Sequence, residues 1–124
     1  MNKLQQQVRE FHETFDLEYS DEPKAIDLIA AQRRVALIRE ELDELCDAFT
    51  SFSIPDIADA LGDLLYVVYG TAVECGIDMD PITDEIHRSN MTKVGGHKNH
   101  YGKWIKPDTY EPPNLEPLIE KMYI

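Results

Sequence analysis

Residues 53–76 read S-I-P-D-I-A-D-A-L-G-D-L-L-Y-V-V-Y-G-T-A-V-E-C-G. Ser53, Pro55 and Asp56 make a helix start: a hydroxyl that caps, a proline whose missing N–H costs nothing in the first turn, and an acid three residues after the cap. Gly76 supplies the stop, because glycine takes the left-handed conformation that ends helices. From Leu64 to Tyr69 the segment is apolar on nearly every side, and a helix that is hydrophobic all round is a buried one. This is the predicted core helix, and the remaining elements are read around it.

On the N-terminal side, Leu4, Val8, Phe11 and Phe15 recur at spacings of four and three, which predicts a helix over about residues 2–17. A second helix is predicted to begin between Asp21 and Lys24 and to run to about Phe52, with an apolar stripe of Ala31, Val35, Ile38, Leu42, Leu45 and Phe49. On the C-terminal side Asp80-Pro81 predicts a fourth helix, ending near Thr92. Gly95-Gly96 and the lysine-rich stretch to Pro113 read as loop, and Asn114 is a candidate cap for a short helix over about 115–122. Nothing alternates like a strand of useful length. The expected fold is all-α: a compact helix bundle of four main helices plus a C-terminal loop and short helix. It is expected to form one domain over 1–124, with 94–124 a loop-rich tail. So small a domain buries its core helix more fully under a second copy, so a homodimer or homotetramer is expected.

Composition narrows the partners. The 124 residues carry 24 Asp and Glu against 12 Lys and Arg, a formal net charge of −12 and a pI near 4.6. With 43% hydrophobic residues the chain is too apolar for a disordered acidic tail. No apolar run approaches the roughly 18 residues of a membrane helix, and the N-terminal residues lack the apolar core of a signal peptide, so a cytoplasmic protein with no membrane partner is expected. The acid excess argues against nucleic acid, since phosphate backbones recruit basic surfaces. Cys46 and Cys75 sit in apolar helical patterns and read as reduced core thiols.

The charges are segregated. Between Arg39 and Arg88 there is no Lys or Arg, yet thirteen acids: Glu40, Glu41, Asp43, Glu44, Asp47, Asp56, Asp59, Asp63, Glu74, Asp78, Asp80, Asp84 and Glu85. From residue 86 to residue 107 the pattern inverts, with no acid and with Arg88, Lys93, Lys98, Lys103 and Lys106. Crowded carboxylates need a counter-ion, and lysine-free helices recruit a divalent cation on oxygen ligands most readily. A basic segment after such a site suits an anionic ligand.

Helical geometry sharpens this. At about 100° per residue, Glu41 borders the core face of the second helix, Glu44 lies one turn along beside it, and Asp43 and Asp47 drift toward solvent. Asp56, Asp59 and Asp63 share a stripe of the third helix, and Asp63 is followed on its own face by Val67 and Gly70, where an unpaired charge is costly. A salt bridge from Arg33 or Arg39 is the plain alternative for Asp63, and a solvated face the plain reading of Asp43, Asp47 and Asp56. Carboxylates without Cys or a placed His favour Mg²⁺, or Mn²⁺, over zinc.

Glu40-Glu41-x-x-Glu44, then fourteen residues, then Asp59-Ala60-Leu61-Gly62-Asp63-Leu64-Leu65-Tyr66 resembles the all-α nucleoside triphosphate pyrophosphohydrolases, the superfamily of MazG, dimeric dUTPases and phosphoribosyl-ATP pyrophosphohydrolase. Their pattern is EExxE followed by ExxD. The resemblance spans about residues 25–93, and Ile86-His87-Arg88-Ser89-Asn90-Met91-Thr92-Lys93 is similar to the family's Asn/Lys segment that meets phosphates. It implies metal roles for Glu41, Glu44 and Asp63. The family's first acid of ExxD falls on Ala60, and Asp59, one position earlier, is the candidate substitute ligand. The implied reaction is Mg²⁺-dependent hydrolysis of a (d)NTP to the monophosphate and pyrophosphate. Glu40 or Glu44 would take the proton of the attacking water, Arg88 and Lys93 would hold the leaving phosphates, and Asn90 would hydrogen-bond phosphate or sugar. Tyr66 lines the base pocket or belongs to the core. Tyr101, Trp104 and Tyr110 either stack on a base or pack the tail. Two other readings stand beside this one: a phosphoribosyl-ATP pyrophosphohydrolase-like enzyme on another diphosphate, and a non-enzymatic acidic helical module that binds cations or a partner. Asp63 and the basic segment favour the enzyme.

Overall fold

The computed structural model describes residues 1–123. Its elements in chain order are α1 (Lys3–Thr14), α2 (Leu28–Ser51), α3 (Ile54–Cys75), α4 (Met79–Met91), the two-residue strands β1 (His97–Lys98) and β2 (Trp104–Ile105), and α5 (Glu116–Glu120). They fall into two compact units, Met1–Ile77 and Asp78–Ile124.

In the first unit α2 and α3 form a helical hairpin. Phe52 and Ser53 connect them: Phe52 turns in the left-handed region at φ 55° and Ser53 caps α3 by accepting from the Asp56 N–H. Gly76, at φ 66°, ends α3 as its sequence predicts. The hairpin partners run in antiparallel order, from Ala48 and Ala60 near the turn to Arg34 and Thr71 at the open end. Alanines hold buried positions on both helices: Ala30, Ala48, Ala60 and Ala72. α1 packs on α3, with Val8 fully buried, Gln5 Nε2 donating to the Ile77 carbonyl at 2.6 Å, and Phe11 meeting Tyr66 edge-on at 5.6 Å.

Several expectations are corrected. α2 starts at Leu28, capped by Asp27. Residues 17–26 form no helix, because the Ser20 and Lys24 N–H groups donate to the Val73 and Cys75 carbonyls of α3, orphan acceptors at a helix end. The stripe assigned to α2 is rotated: Arg34 and Ala48 face inward, whereas Val35, Leu42 and Phe49 are exposed, as are Leu61, Leu65 and Val68 on α3. The core helix is therefore buried at its C-terminal half and open on one side in the middle. Cys46 is an exposed thiol rather than a core one, and Cys75 is half-buried.

In the second unit Asp78, not Asp80, caps α4, its carboxylate accepting from the Asp80 N–H at 3.1 Å. The stretch read as loop contains an antiparallel hairpin pairing His97 with Ile105 and Lys98 with Trp104. Asn99 makes its turn: the Asn99 side-chain carbonyl accepts from the Tyr101 and Lys103 N–H groups, and Gly102 takes φ 81°. α5 has no side-chain cap, because its N-cap position falls on Leu115 rather than on Asn114, whose N–H donates to Glu85 at 2.8 Å. Among the described residues no single helix is long and apolar enough to cross a membrane.

Candidate metal centre

Glu41 and Glu44 stand one turn apart on α2, and Asp63 faces them from α3. One carboxylate oxygen of each lies within 4.8 Å of the others. The antiparallel hairpin causes this: Asp63 and Glu44 each sit one helical step off the inward faces, on the same side. Glu44 and Asp63 are exposed, while Glu41 is half-buried. Glu41 Oε2 is fully buried and has no hydrogen-bond partner among the described residues. Burial raises the Glu41 pKa above the ordinary carboxylate value, and contact with the Glu44 carboxyl and repulsion from Glu44, Asp63 and Glu40 raise it further. A buried oxygen with no donor, beside two more carboxylates and no cation, is the unmet demand that a hard divalent ion satisfies.

Asp63 is not sunk in apolar surroundings as its sequence neighbours suggest; the carboxylate that enters the interior is that of Glu41. The salt bridge to Asp63 does not form either. Arg34 and Arg33 turn to Glu74, at 3.4 and 3.5 Å, and Arg34 also donates to Thr71 Oγ1 and the Val67 carbonyl. Burial lowers the Arg34 pKa despite the opposing charge of Glu74. This buried pair escapes sequence reasoning, which offers Arg33 or Arg39 to Asp63 and assigns nothing to Arg34; in the structure Gly70 makes room for it, since a Cβ there would collide with the Arg34 guanidinium.

Asp59 lies outside the three-carboxylate group. With Glu44, Asp56, Ala48 and Ala60 it lines an adjoining cavity of ≈ 290 Å³. Glu40 is exposed next to the group. Tyr66, one turn beyond Asp63, is half-buried against Phe11.

Arg88, Asn90 and Lys93 belong to the second unit. Arg88 is engaged by Glu85 through two bonds of 2.6 and 2.9 Å, which with the Asn114 N–H hold the Glu85 pKa at about 2. The Asn90 side chain makes no hydrogen bond with the described residues, and Lys93 Nζ lies 5.7 Å from the Tyr110 ring centre. Sequence reasoning missed the hydroxyls between them. Ser89, 1% exposed, donates to the Glu111 carbonyl, and the Glu111 N–H donates to Thr92 Oγ1, so both residues tie the tail to α4. Tyr110 joins that packing through Ser89, whereas Tyr101 is 83% exposed.

An all-α hairpin with acids of EExxE spacing on one helix and an aspartate facing them from the next defines the pyrophosphohydrolase class of helical bundles. The family profile of phosphoribosyl-ATP pyrophosphohydrolase matches residues 8–90, and the chain belongs to that family. A stretch of 69 residues, 56% of this chain, is 41% identical to an uncharacterised protein of Acanthamoeba polyphaga mimivirus. The chain spans about a quarter of that relative's length, 24%.

Proposed function

We propose that this chain is a Mg²⁺-dependent nucleoside triphosphate pyrophosphohydrolase, releasing pyrophosphate and a monophosphate, and that Mn²⁺ substitutes. The observation that carries the reading is the partnerless buried Glu41 Oε2 within the Glu41, Glu44 and Asp63 group. Three hard oxygen donors fit Mg²⁺, which when bound supplies charge neutralisation for the phosphate oxygens. Glu41 is the anchoring ligand, and Glu44 and Asp63 close the group from the exposed side. Glu40, outside the group, accepts a proton from the water that attacks phosphorus as the anhydride P–O bond breaks; Glu44 is the other candidate for that role. Asp59 lines the adjoining cavity and shapes its charge. Lys93 and Asn90 contact the phosphates or sugar, and Arg88 joins them by exchanging Glu85 for a phosphate. Tyr66 flanks the reacting end, one turn from Asp63.

The active form is proposed to be a homodimer or larger homo-oligomer in the cytoplasm. Leu28, Val35, Leu42 and Phe49 recur every seven residues along α2, and all are exposed. Val35, Leu42 and Leu61 each follow an inward-facing residue by one position, which in an antiparallel hairpin puts both stripes on the side away from the carboxylates. A second copy covers this apolar side, and Leu42→Asp is expected to give monomer by light scattering.

The test of activity is pyrophosphate release from a panel of ribo- and deoxyribonucleoside triphosphates and phosphoribosyl-ATP, with Mg²⁺ or Mn²⁺. Loss of release in Asp63→Asn and Glu41→Gln, with monophosphate as product of the wild type, supports the reading. Cleavage of phosphoribosyl-ATP alone makes that modified nucleotide the substrate. Absence of both cleavage and Mg²⁺ binding defeats the enzyme reading in favour of an acidic interaction module.

A further inference from the structure

We infer that the second unit carries a pocket for the planar ring of a nucleotide, walled by Met91, Val94 and Trp104 and edged by Asn90 and Lys93. The pocket measures ≈ 260 Å³ and is lined by these five residues. Room for a purine or pyrimidine is available in such a volume.

Three features fit that occupant. The first is that Trp104 is held in place while it stays partly exposed along the pocket. Its indole Nε1 donates to the Lys93 carbonyl at 2.8 Å, the β1–β2 hairpin carries its backbone, and 44% of the residue remains exposed. Gly96 makes room for this seat, because a Cβ there would meet Trp104 Nε1 and the Ile105 carbonyl. Met91 and Val94, 57% and 72% exposed, supply apolar surface facing the same space. A fixed indole with adjacent aliphatic and thioether groups is a stacking surface.

The second feature is the hydrogen-bonding edge. The Asn90 side chain has a donor and an acceptor and uses neither on the described residues, so it is free to hydrogen-bond the sugar at the rim of the pocket. The third is charge. Lys93 lines the pocket, and of the five Lys and Arg in the acid-free residues 86–107 only Arg88 is ion-paired among the described residues, with Glu85 and Glu111, which leaves lysines to attract an anion. A ring with apolar faces and an attached sugar and phosphates matches walls, edge and field together. A leucine or phenylalanine from a second copy would match only the walls.

The inference rests on the nucleotide reading above but is tested apart from catalysis. Trp104 is the protein's sole tryptophan, so its fluorescence reports on this pocket alone. Metal-free wild-type protein is titrated with nucleoside monophosphates, with ribose 5-phosphate and inorganic phosphate as ring-free probes. Quenching by the nucleotides but not by the ring-free probes is the expected result. Equal responses to all probes, or none to any, overturns the pocket. In the triphosphate assay Trp104→Leu is expected to raise KM about tenfold with kcat little changed, from the usual worth of one stacked base, and Trp104→Phe to restore most of it. Asn90→Ala weakens the response to all nucleotides alike. Quenching without hydrolysis of any nucleotide in the panel and without Mg²⁺ binding leaves the pocket standing and defeats the catalytic reading. Hydrolysis with unchanged KM in Trp104→Leu and no quenching does the reverse.

Discussion

Replacing Asp63 by Asn is expected to invert the order of two melting curves. Without metal, the Asp63 carboxylate lies within 4.8 Å of Glu41 and Glu44 and has no cation beside it. Each like-charge pair at that distance costs roughly 0.9 kcal/mol in water and about 3.5 kcal/mol at an effective dielectric of 20. Asp63 and Glu44 are exposed, so the aqueous limit applies, and physiological salt roughly halves it. The two pairs together then amount to about 1 kcal/mol, which Asp63→Asn releases. For a chain of 124 residues that raises the metal-free Tm by about 4 °C. With Mg²⁺ at about a hundred times its Kd, the wild type gains about 2.7 kcal/mol, or roughly 10 °C, whereas the variant moves little. The assay is thermal unfolding by circular dichroism in chelator and in excess Mg²⁺. If the variant melts lower than the wild type in chelator, or responds to Mg²⁺ as the wild type does, the three carboxylates are not a repelling group relieved by metal, and the reasoning is refuted.

Two further outcomes are expected elsewhere. Gly70→Ala drives a Cβ into the Arg34 guanidinium and disturbs its bond to the Val67 carbonyl, for a loss of about 2 kcal/mol in urea unfolding; an unchanged midpoint would mean that Arg34 has room to swing aside. The Glu85 pKa is lowered to about 2 by Arg88 and the Asn114 N–H, from an ordinary 4.5. A depressed acid gives stability that is complete above its ordinary value and is lost as pH falls toward its folded one. Acid unfolding of the wild type followed by Trp104 fluorescence should therefore show a component between about pH 4.5 and 2 that Glu85→Gln lacks, and identical acid limbs in the two proteins would contradict the assignment.

The boundaries of α3 were legible because they are local. Ser53 caps Asp56 three residues on, and Gly76 needs only its own left-handed φ. The start of α2 was not, since the bonds that keep residues 17–26 out of a helix end on Val73 and Cys75, some fifty positions away. The β1–β2 turn depends on one side-chain carbonyl, that of Asn99, which leaves no periodic trace. The pairing of Glu41 with Glu44 was legible because helical angles follow from spacing alone, whereas Asp63 joined them only through the resemblance to the EExxE and ExxD pattern. Which acid is buried was not legible, because it depends on how α2 is rotated against α3. That rotation turns Ala48, Ala60 and Arg34 inward, the last a residue whose type argues for the surface.

Position 60 offers the most informative change. The family pattern has an acid there, and this chain has an alanine that is 5% exposed, while Asp59 next to it stands outside the three-carboxylate group. Yet Ala60 lines the ≈ 290 Å³ cavity together with Glu44, so a longer side chain has space to enter rather than to split the hairpin. Ala60→Glu restores the missing carboxylate on the side of α3 that meets α2. Added anionic ligands tighten a hard-ion site, while in the metal-free protein another like charge costs about 1 kcal/mol. Isothermal titration should therefore show Mg²⁺ binding about tenfold tighter in Ala60→Glu, with the chelator-state Tm lower by about 4 °C. Asp59→Ala should change affinity by less than about threefold, a loss of under roughly 0.7 kcal/mol, because its carboxylate acts only through the field of the cavity. If instead Asp59→Ala abolishes binding and Ala60→Glu changes nothing, the centre is built around the cavity rather than around Glu41, and the buried Glu41 oxygen has some other partner.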